Sequence, residues 1–478
     1  MKAFDTLYIG GQWREPSAPG VLEVRSPHDR ALIGTTPYAR PTDVDRAVLA
    51  ARRAFDEGPW PRLSAQERLT AVARLCDLHA GRAEELASLV TSENGSPLWF
   101  TRWLHASGIP EQNHAYLRAA REPDWEAQIG AVGDTRTVVR RVPVGVVAAV
   151  IPWNAPHQSA LAKMVPALLA GCTVVLKASP ETALDALALA EIVERAGFPE
   201  GVVSILPAGR ETSEYLVSHS GIDKIAFTGS TAAGRRIASI AGQQLKRVSL
   251  ELGGKSASIV LPDADFDDTV ARLKTLSLAN NGENCVAHTR ILAPRSRYAE
   301  FVSELAAMVD SLEVGDPADP GTYVGPMVRA EQQRRVLDYL ELGVSEGARV
   351  AAGGPGVPEG LEGGYYVRPT VFTGVDNGMR IAQEEIFGPV LSVIPFGDED
   401  EAVRIAEDSP YGLGGGVWTA DPEHGAAVAR RIRSGYLTVN GASISPSAPF
   451  GGFRASGIGR EFGTIGLSQY IEHQTIAY

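Results

Sequence analysis

A cysteine and a glutamate are the residues in this chain best suited to covalent chemistry. Cys285 ends the run Leu278-Ala-Asn-Asn-Gly-Glu-Asn-Cys285, and Glu251 lies upstream in Leu250-Glu-Leu-Gly-Gly-Lys-Ser256. A thiolate can attack a carbonyl carbon. Once that carbon has given up hydride, a detached carboxylate can activate water against the acyl–sulfur bond. The pair would thus oxidise a carbonyl compound through a thioester. The turn before Cys285 is expected to expose backbone amides, which would favour the thiolate.

Other fragments carry chemistry of their own. Pro152-Trp-Asn-Ala-Pro156 closes a strongly apolar stretch, where ligand crevices form in open α/β sheets, and its Asn154 amide could donate to an oxyanion. Read alone, it fits equally well a turn whose asparagine caps the next helix. Phe227-Thr-Gly-Ser-Thr-Ala-Ala-Gly234 has the texture of strand, tight turn and helix, with Gly229 and Ser230 placed to receive a pyrophosphate. It lacks the G-x-G-x-x-G spacing, so an ordinary capped helix competes. Gly253-Gly-Lys-Ser256 resembles the end of a phosphate loop, but Ser249 stands where that loop needs glycine, which excludes an NTPase. Cys76 and Cys172 sit in apolar surroundings and read as core.

The elements needed to hold these residues are visible in the hydrophobic pattern. Leu7-Tyr-Ile-Gly-Gly-Gln-Trp13 reads as a hairpin turning on Gly-Gly. Apolar residues recur at helical spacing from Thr42 to Asn94. From Val144 the chain alternates. Strands are expected at Val144–Ile151, Thr173–Lys177, Val202–Leu206 and Lys224–Phe227, with helices over His157–Ala170 and Thr182–Ala196. Continuous Val/Ile strands joined by helices indicate a parallel sheet covered on both faces. A second set begins after Gly253, with strands at Ala257–Leu261 and Thr289–Leu292 and helices over Phe266–Asn280 and Tyr298–Leu312. The glycine-rich stretch from Ala351 to Pro358 reads as a surface loop. Thr135–Val142 and the tail Ser468–Tyr478 read as strands outside either sheet, available for pairing between subunits. The fold class is therefore α/β.

At 478 residues the chain exceeds a single core, and 44% hydrophobic with 21% charged residues is ordinary globular composition. A net charge of −12 argues against a nucleic-acid or anionic-membrane partner. Three cysteines, with no metal-ligand spacing among them, predict free thiols in a reducing compartment and no metal. The N-terminus lacks a signal-peptide pattern and no apolar run spans a bilayer, so the expected location is the cytoplasm.

In order along the chain, Asn154 in Pro-Trp-Asn, Lys177, Phe227-Thr-Gly-Ser230, Glu251-Leu-Gly-Gly-Lys, Gly-Glu-Asn-Cys285, Glu384-Glu-Ile-Phe-Gly-Pro389 and Pro449-Phe-Gly-Gly-Phe-Arg-Ala-Ser-Gly457 resemble the aldehyde dehydrogenase superfamily over nearly the whole length. The resemblance implies a Rossmann-like NAD(P)-binding domain over 1–121 and 144–252, and a catalytic α/β domain over 253–443. It also implies a small β oligomerisation arm from 122–143 and 460–478, serving a homodimer or homotetramer. By position Cys285 would be the nucleophile and Glu251 the deacylating base. Asn154 and the Cys285 amide would form the oxyanion hole. Lys177 would hold the adenosine ribose, Ser230 the pyrophosphate and Glu385 the nicotinamide ribose, with Phe387 against the nicotinamide. Ile151, Pro152, Trp153, Ser179, Pro180, Gly209, Phe227, Gly229, Leu252 and Gly253 complete the implied cofactor surface. Retention of Glu251 implies water, not coenzyme A, as acyl acceptor.

Three departures from the family pattern stand out. Pro180 occupies a place where many NAD-specific relatives carry a ribose-binding glutamate, so NAD is expected with NADP left open. Glu283 replaces a commoner glutamine and is expected to point outward. His288 is unusual, and local packing is its expected role. The substrate channel maps to Ala155, Ser159, Ala162, Leu278, Ile444 and Phe450. These small or aliphatic linings imply a bulky, largely apolar aldehyde, aromatic or terpenoid-like. The alternatives are an NADP-preferring aldehyde or semialdehyde dehydrogenase, a thiol esterase, or a non-catalytic protein on this scaffold.

Overall fold

A computed structural model of the chain describes residues 2–122 and 124–478; Met1 and Pro123, which fall within the expected domain segments, lie outside the described residues. Two sheets carry the fold. The first has eight strands in the order Gly457–Ile458, Arg247–Glu251, Lys224–Thr228, Val146–Val150, Thr173–Ala178, Val203–Pro207, Leu7–Ile9 and Gln12–Arg14. Its five central strands are parallel. Every residue of Val146–Val150 and Thr173–Ala178 is buried, because helices cover both faces. The hairpin at Leu7 turns on Gly10 and Gly11, both at positive φ, and adds an antiparallel edge.

Strand order reverses at Val146–Val150, which pairs with Thr173–Ala178 on one side and Lys224–Thr228 on the other. The carboxyl ends of these strands therefore open a crevice. The second sheet has seven strands in the order Arg349–Ala352, Thr370–Thr373, Val390–Phe396, His288–Pro294, Ser256–Val260, Gly415–Trp418 and Thr438–Val439, all parallel except the first. A third, antiparallel sheet of Glu126–Val132, Thr135–Pro143 and Ile471–Ala477 stands apart from both.

Sequence and structure part at element ends. The helix expected over Phe266–Asn280 stops at Leu278. Asn280 and Asn281 adopt left-handed backbone (φ 55° and 60°), which asparagine tolerates better than most residues. Asn281 is fixed there by donating to the Gly95 and Pro326 carbonyls and accepting from the Gly325 amide. The tail strand begins at Ile471, because Gly463–Ser468 forms a short helix packed on the Ile109–Ala119 and Pro156–Ala170 helices. The loop expected from Ala351 starts two residues later, after the Arg349–Ala352 strand.

Candidate active site

The Pro152–Pro156 turn leaves the strand at the switch point and leads into the Pro156–Ala170 helix. Asn154 is held from beneath rather than left to a rotamer. Its carbonyl accepts from the Asn280 amide at 2.9 Å, and the Asn94 amide donates to the Trp153 carbonyl at 3.0 Å. Ser96 ties these together, bonding Asn94 through its amide and Asn280 through its hydroxyl. The Asn154 Nδ2 itself donates to the Glu283 carbonyl at 2.9 Å, so the amide is locked to the loop that ends at Cys285.

Cys285 is half-buried and lines a cleft of ≈ 840 Å³ between the two large sheets. Burial, with the carboxylates of Glu385 and Glu251 as lesser causes, pushes its thiol up to about 12. The expectation that turn amides would favour the thiolate is thus corrected. Its backbone hydrogen bond lowers the value, but desolvation outweighs it. Glu283 does not point outward. It is buried, it accepts from the Val328 amide at 3.3 Å, and desolvation holds its carboxyl well above the usual range. A neutral acid adds no charge beside the thiol. His288 is buried away from the cleft, its Nδ1 bonded to the Ser258 hydroxyl, which also accepts from Trp418.

Glu251 ends the Arg247–Glu251 strand and is buried with both carboxylate oxygens unpartnered among the described residues. Desolvation, and then the charge of Glu461, hold its carboxyl well above the ordinary range. Glu461 in turn takes the Lys163 ammonium at 2.7 Å, and Lys163 also reaches the Thr228 hydroxyl at 2.6 Å. Sequence reasoning missed this pair. The available signal was a lysine inside the otherwise apolar Ser159-Ala-Leu-Ala-Lys-Met-Val run. Gly451 explains part of the Phe-Gly-Gly motif, since a Cβ there would lie 2.6 Å from Glu251 Oε1.

Pro152, Trp153, Gly229, Ser230, Leu252, Gly253, Glu385 and Phe387 line the same cleft as Cys285 and Asn154. Ile151, Lys177, Ser179, Pro180 and Gly209 lie beside it, at or just past the carboxyl ends of the same sheet. Phe227 is instead a core residue beneath Gly229, where a Cβ would meet its ring at 2.5 Å. The cleft suits a dinucleotide. Ser230 caps the Thr231–Gln243 helix, whose first amides face an anion site. Lys177 is a buried amine with no acidic partner among the described residues, pushed down to about 8 by desolvation, as a ligand-facing donor would be. Glu385 accepts from the Gly254 amide at 3.1 Å, and a Cβ on Gly253 would strike its carboxylate.

Two further residues were missed. Gln332 donates to the Phe387 carbonyl at 2.6 Å, and Arg335 donates to the Ile386 and Glu385 carbonyls. They hold Phe387 at φ 63° with its ring edge-on to Trp153. Only the fold brings that helix to the motif, so spacing could not reveal them.

Of the channel candidates, Ala155 and Ser159 are half-buried beside the turn. Ala162 is 1% exposed, and its carbonyl accepts from the Tyr116 hydroxyl. Leu278 is 0% exposed inside the second domain's apolar core, so it does not line a channel; the helix ends there with its side chain turned to Val260, Phe301 and their neighbours. Ile444 is 45% exposed on an outer loop. Phe450 packs between Tyr436 and Phe462, and the Tyr436 hydroxyl donates to the Val286 carbonyl next to the thiol.

A cleft suited to a dinucleotide at a sheet switch point, closed by a second α/β unit bearing a cysteine, is the architecture of an oxidoreductase. Residues 13–476 match the family model described as the Aldehyde dehydrogenase family, and the chain belongs to that family. Among curated proteins it is similar to geranial dehydrogenase of Castellaniella defragrans, 44% identical over 98% of each chain. Among solved structures it is similar to an aldehyde dehydrogenase of Mycobacterium tuberculosis complexed with NAD+, with TM-score 0.97 and 44% identity over 99% of this chain and 98% of that one. It is also similar to a mutant of aldehyde dehydrogenase C from Pseudomonas syringae complexed with NAD+ and octanal, with TM-score 0.95 and 40% identity over 99% and 96%.

Proposed function

We propose that this aldehyde dehydrogenase acts on bulky, largely apolar aldehydes, of terpenoid or long-chain type, and that Cys285, Glu251 and Asn154 carry the reaction. The carrying observation is the wall beside the thiol. Tyr436, whose hydroxyl reaches the Val286 carbonyl, stacks on Phe450, which packs at a tilt against Phe462, and the half-buried residues next to Asn154 include the small Ala155 and Ser159. Each methylene buried there stabilises binding by about 0.8 kcal/mol, about fourfold in affinity. The names of the relatives, with geranial and octanal, point the same way.

In this reading Cys285 loses its proton and its sulfur bonds the aldehyde carbon. The oxygen of that adduct takes the Asn154 amide and the Cys285 N–H, at a site locked by Asn280 and Asn94. With NAD bound to supply the hydride acceptor, loss of hydride from that carbon would leave a thioester on Cys285. Trp153, Phe387, Ser230, Lys177 and Glu385 would hold the cofactor. Glu251, once ionised, takes a proton from water as it attacks the thioester, releasing the acid and the free thiol. Lys163 and Glu461 border Glu251 and offer a buried route for that proton. Desolvation first, and the charge of Glu461 second, thus set when Glu251 can ionise.

The three-stranded sheet of Glu126–Val132, Thr135–Pro143 and Ile471–Ala477 we assign to self-association, because Ile129 and Val132 stand exposed on its edge. Its free thiols Cys76, Cys172 and Cys285 suit a reducing cytoplasm. No helix among the described residues is long and apolar enough to cross a membrane.

The test is a panel of geranial, octanal, benzaldehyde, acetaldehyde and succinic semialdehyde, run with NAD, with NADP and with neither. Geranial or octanal should exceed acetaldehyde in kcat/KM by roughly tenfold or more. A preference for acetaldehyde or the semialdehyde would remove the apolar channel. Ester turnover without nucleotide but no aldehyde oxidation would leave only the esterase chemistry.

A further inference from the structure

Three histidines far apart in the sequence meet inside the first domain, away from the cleft. His79 lies in the last turn of the Ala65–Ala80 helix, His105 in a π-helical turn at Leu104–Gly108, and His157 in the first turn of Pro156–Ala170. Each is at most 1% exposed. One ring nitrogen from each lies within 4.8 Å of the other two. His79 Nε2 is 2.8 Å from His157 Nδ1, and the far nitrogen of His157, Nε2, is 2.7 Å from Asp185 Oδ1. Glu93 sits behind Asp185, accepting the Leu184 and Asp185 amides at 2.8 and 2.9 Å.

The cluster is incompletely satisfied. His79 Nδ1 and His105 Nδ1 are buried with no hydrogen-bond partner, as are both carboxylate oxygens of Asp185; Oδ1 lies 2.7 Å from His157 Nε2, which makes its hydrogen bond to the Asp185 backbone carbonyl at 3.1 Å. Orphaned buried polar atoms cost stability and call for an explanation. Packing alone would have been served by leucine, as in the surrounding core. The π turn that carries His105 is itself a rare insertion that tends to accompany function. An imidazole backed by a carboxylate on its second nitrogen is the arrangement metal-ligating histidines adopt.

We propose that His79, His105 and His157 bind one divalent transition-metal ion of the zinc type, with Asp185 orienting His157. Tetrahedral coordination at about 2.0–2.1 Å sets ligand nitrogens roughly 3.4 Å apart. The His79–His157 pair would open by roughly half an ångström and His105 would close in. Three histidines leave a fourth position for water. The ion would staple three helical segments together directly beneath the turn that carries Asn154. No ligand spacing marks this site along the chain, because these residues come from three separate elements. The proposal does not depend on which aldehyde is used.

The full-length, tag-free protein is incubated with Zn2+ or Co2+, desalted and measured for metal content. About one ion per chain is expected, with the visible bands of tetrahedral cobalt and a Tm a few degrees above that of the chelated protein. Cys285→Ala, which removes the thiol as an alternative ligand, should keep the ion. His105→Gln should lose it while still binding NAD, the check that it has folded. A wild-type chain that holds no metal and shows no cobalt bands overturns the site, as does metal lost in Cys285→Ala. If His105→Gln does not fold, the wild-type cobalt spectrum and the Cys285→Ala content decide between these outcomes.

Discussion

Two clusters of buried ionisable groups hang from one helix, Pro156–Ala170, and they are finished differently. Lys163 joins Glu461 beside Glu251, whose two oxygens have no partner. His157 joins His79 and Asp185 in a closed interior. Burial shifts groups in both clusters, Glu251 in the first and Glu93, His79 and His105 in the second. A perturbed acid or base is therefore not by itself a mark of catalysis here. Glu251 is close enough for its charge to act on Cys285, and Cys285 opens to a cleft. Access to substrate separates the two clusters, not the size of the shift.

The thiols put that contrast to its hardest test. All three are pushed up by burial, Cys76 to about 12, Cys172 to about 11 and Cys285 to about 12. Only Cys285 lines the cleft. Cys285→Ala should cut aldehyde oxidation by on the order of 10⁴-fold or more while NAD binding, read by fluorescence titration, persists. Cys76→Ala and Cys172→Ala should keep most activity. Oxidation by the Cys285 variant at a wild-type rate would end the covalent route.

Glu251→Gln keeps shape but removes the base, and steady-state turnover should fall roughly 10²–10⁴-fold. A burst of reduced nucleotide should remain, with acyl-enzyme visible by intact mass. Lost turnover with no trapped adduct would assign Glu251 to an earlier step. The wild-type pH profile carries the same information. Glu251 and Cys285 are both raised, so each keeps its proton at neutral pH and is reactive only when deprotonated. Activity should therefore rise with pH through and above neutrality and fall as pH drops. A flat profile from pH 6 to 9 would show that neither shift survives in the working complex.

How much of this was legible in the chain follows the range of the contacts. Continuous apolar runs located four of the five parallel strands of the first sheet within a residue or two, since burial on both faces leaves an unbroken Val/Ile signal, whereas the Arg247–Glu251 strand, less apolar and partly exposed, was not expected. Local motifs mark Cys285 and Asn154, which line one cleft, and Glu251, whose charge reaches Cys285. Asn280 and Asn281 look like helix in sequence, and only contacts to Gly95 and Pro326 reveal why the helix stops. Glu283 and Leu278 were placed by position, but side-chain direction depends on what packs opposite. Lys163 with Glu461, and the histidine trio, join distant segments, so no spacing announces them.

The adenosine end gives a smaller effect. Pro180 offers no carboxylate, but Glu181 beside it is already tied to the Ser179 hydroxyl and to Arg329 across the cleft mouth. Pro180→Glu would add a free carboxylate next to Lys177, repelling a 2′-phosphate. The NAD/NADP ratio of kcat/KM should rise roughly tenfold, about 1.4 kcal/mol. An unchanged ratio would mean that Glu181 already sets the preference.

The channel gives the smallest effect and separates the two sides of the helix. Ala162 is closed in, with the Tyr116 hydroxyl on its carbonyl, so Ala162→Trp would overpack a core and lower stability by about 1–3 kcal/mol or more for every substrate. Ala155 is half-buried on the turn that also carries Asn154, packed at the edge of the core with part of its surface facing open space. Ala155→Phe should fill that space, costing geranial or octanal several-fold in kcat/KM while acetaldehyde loses little, because a two-carbon chain does not reach so far. Thermal melting should move less than for Ala162→Trp. If Ala155→Phe weakens small and large aldehydes equally, the bulk acts through Asn154 and the acyl chain runs elsewhere, along the Tyr436 and Phe450 wall alone.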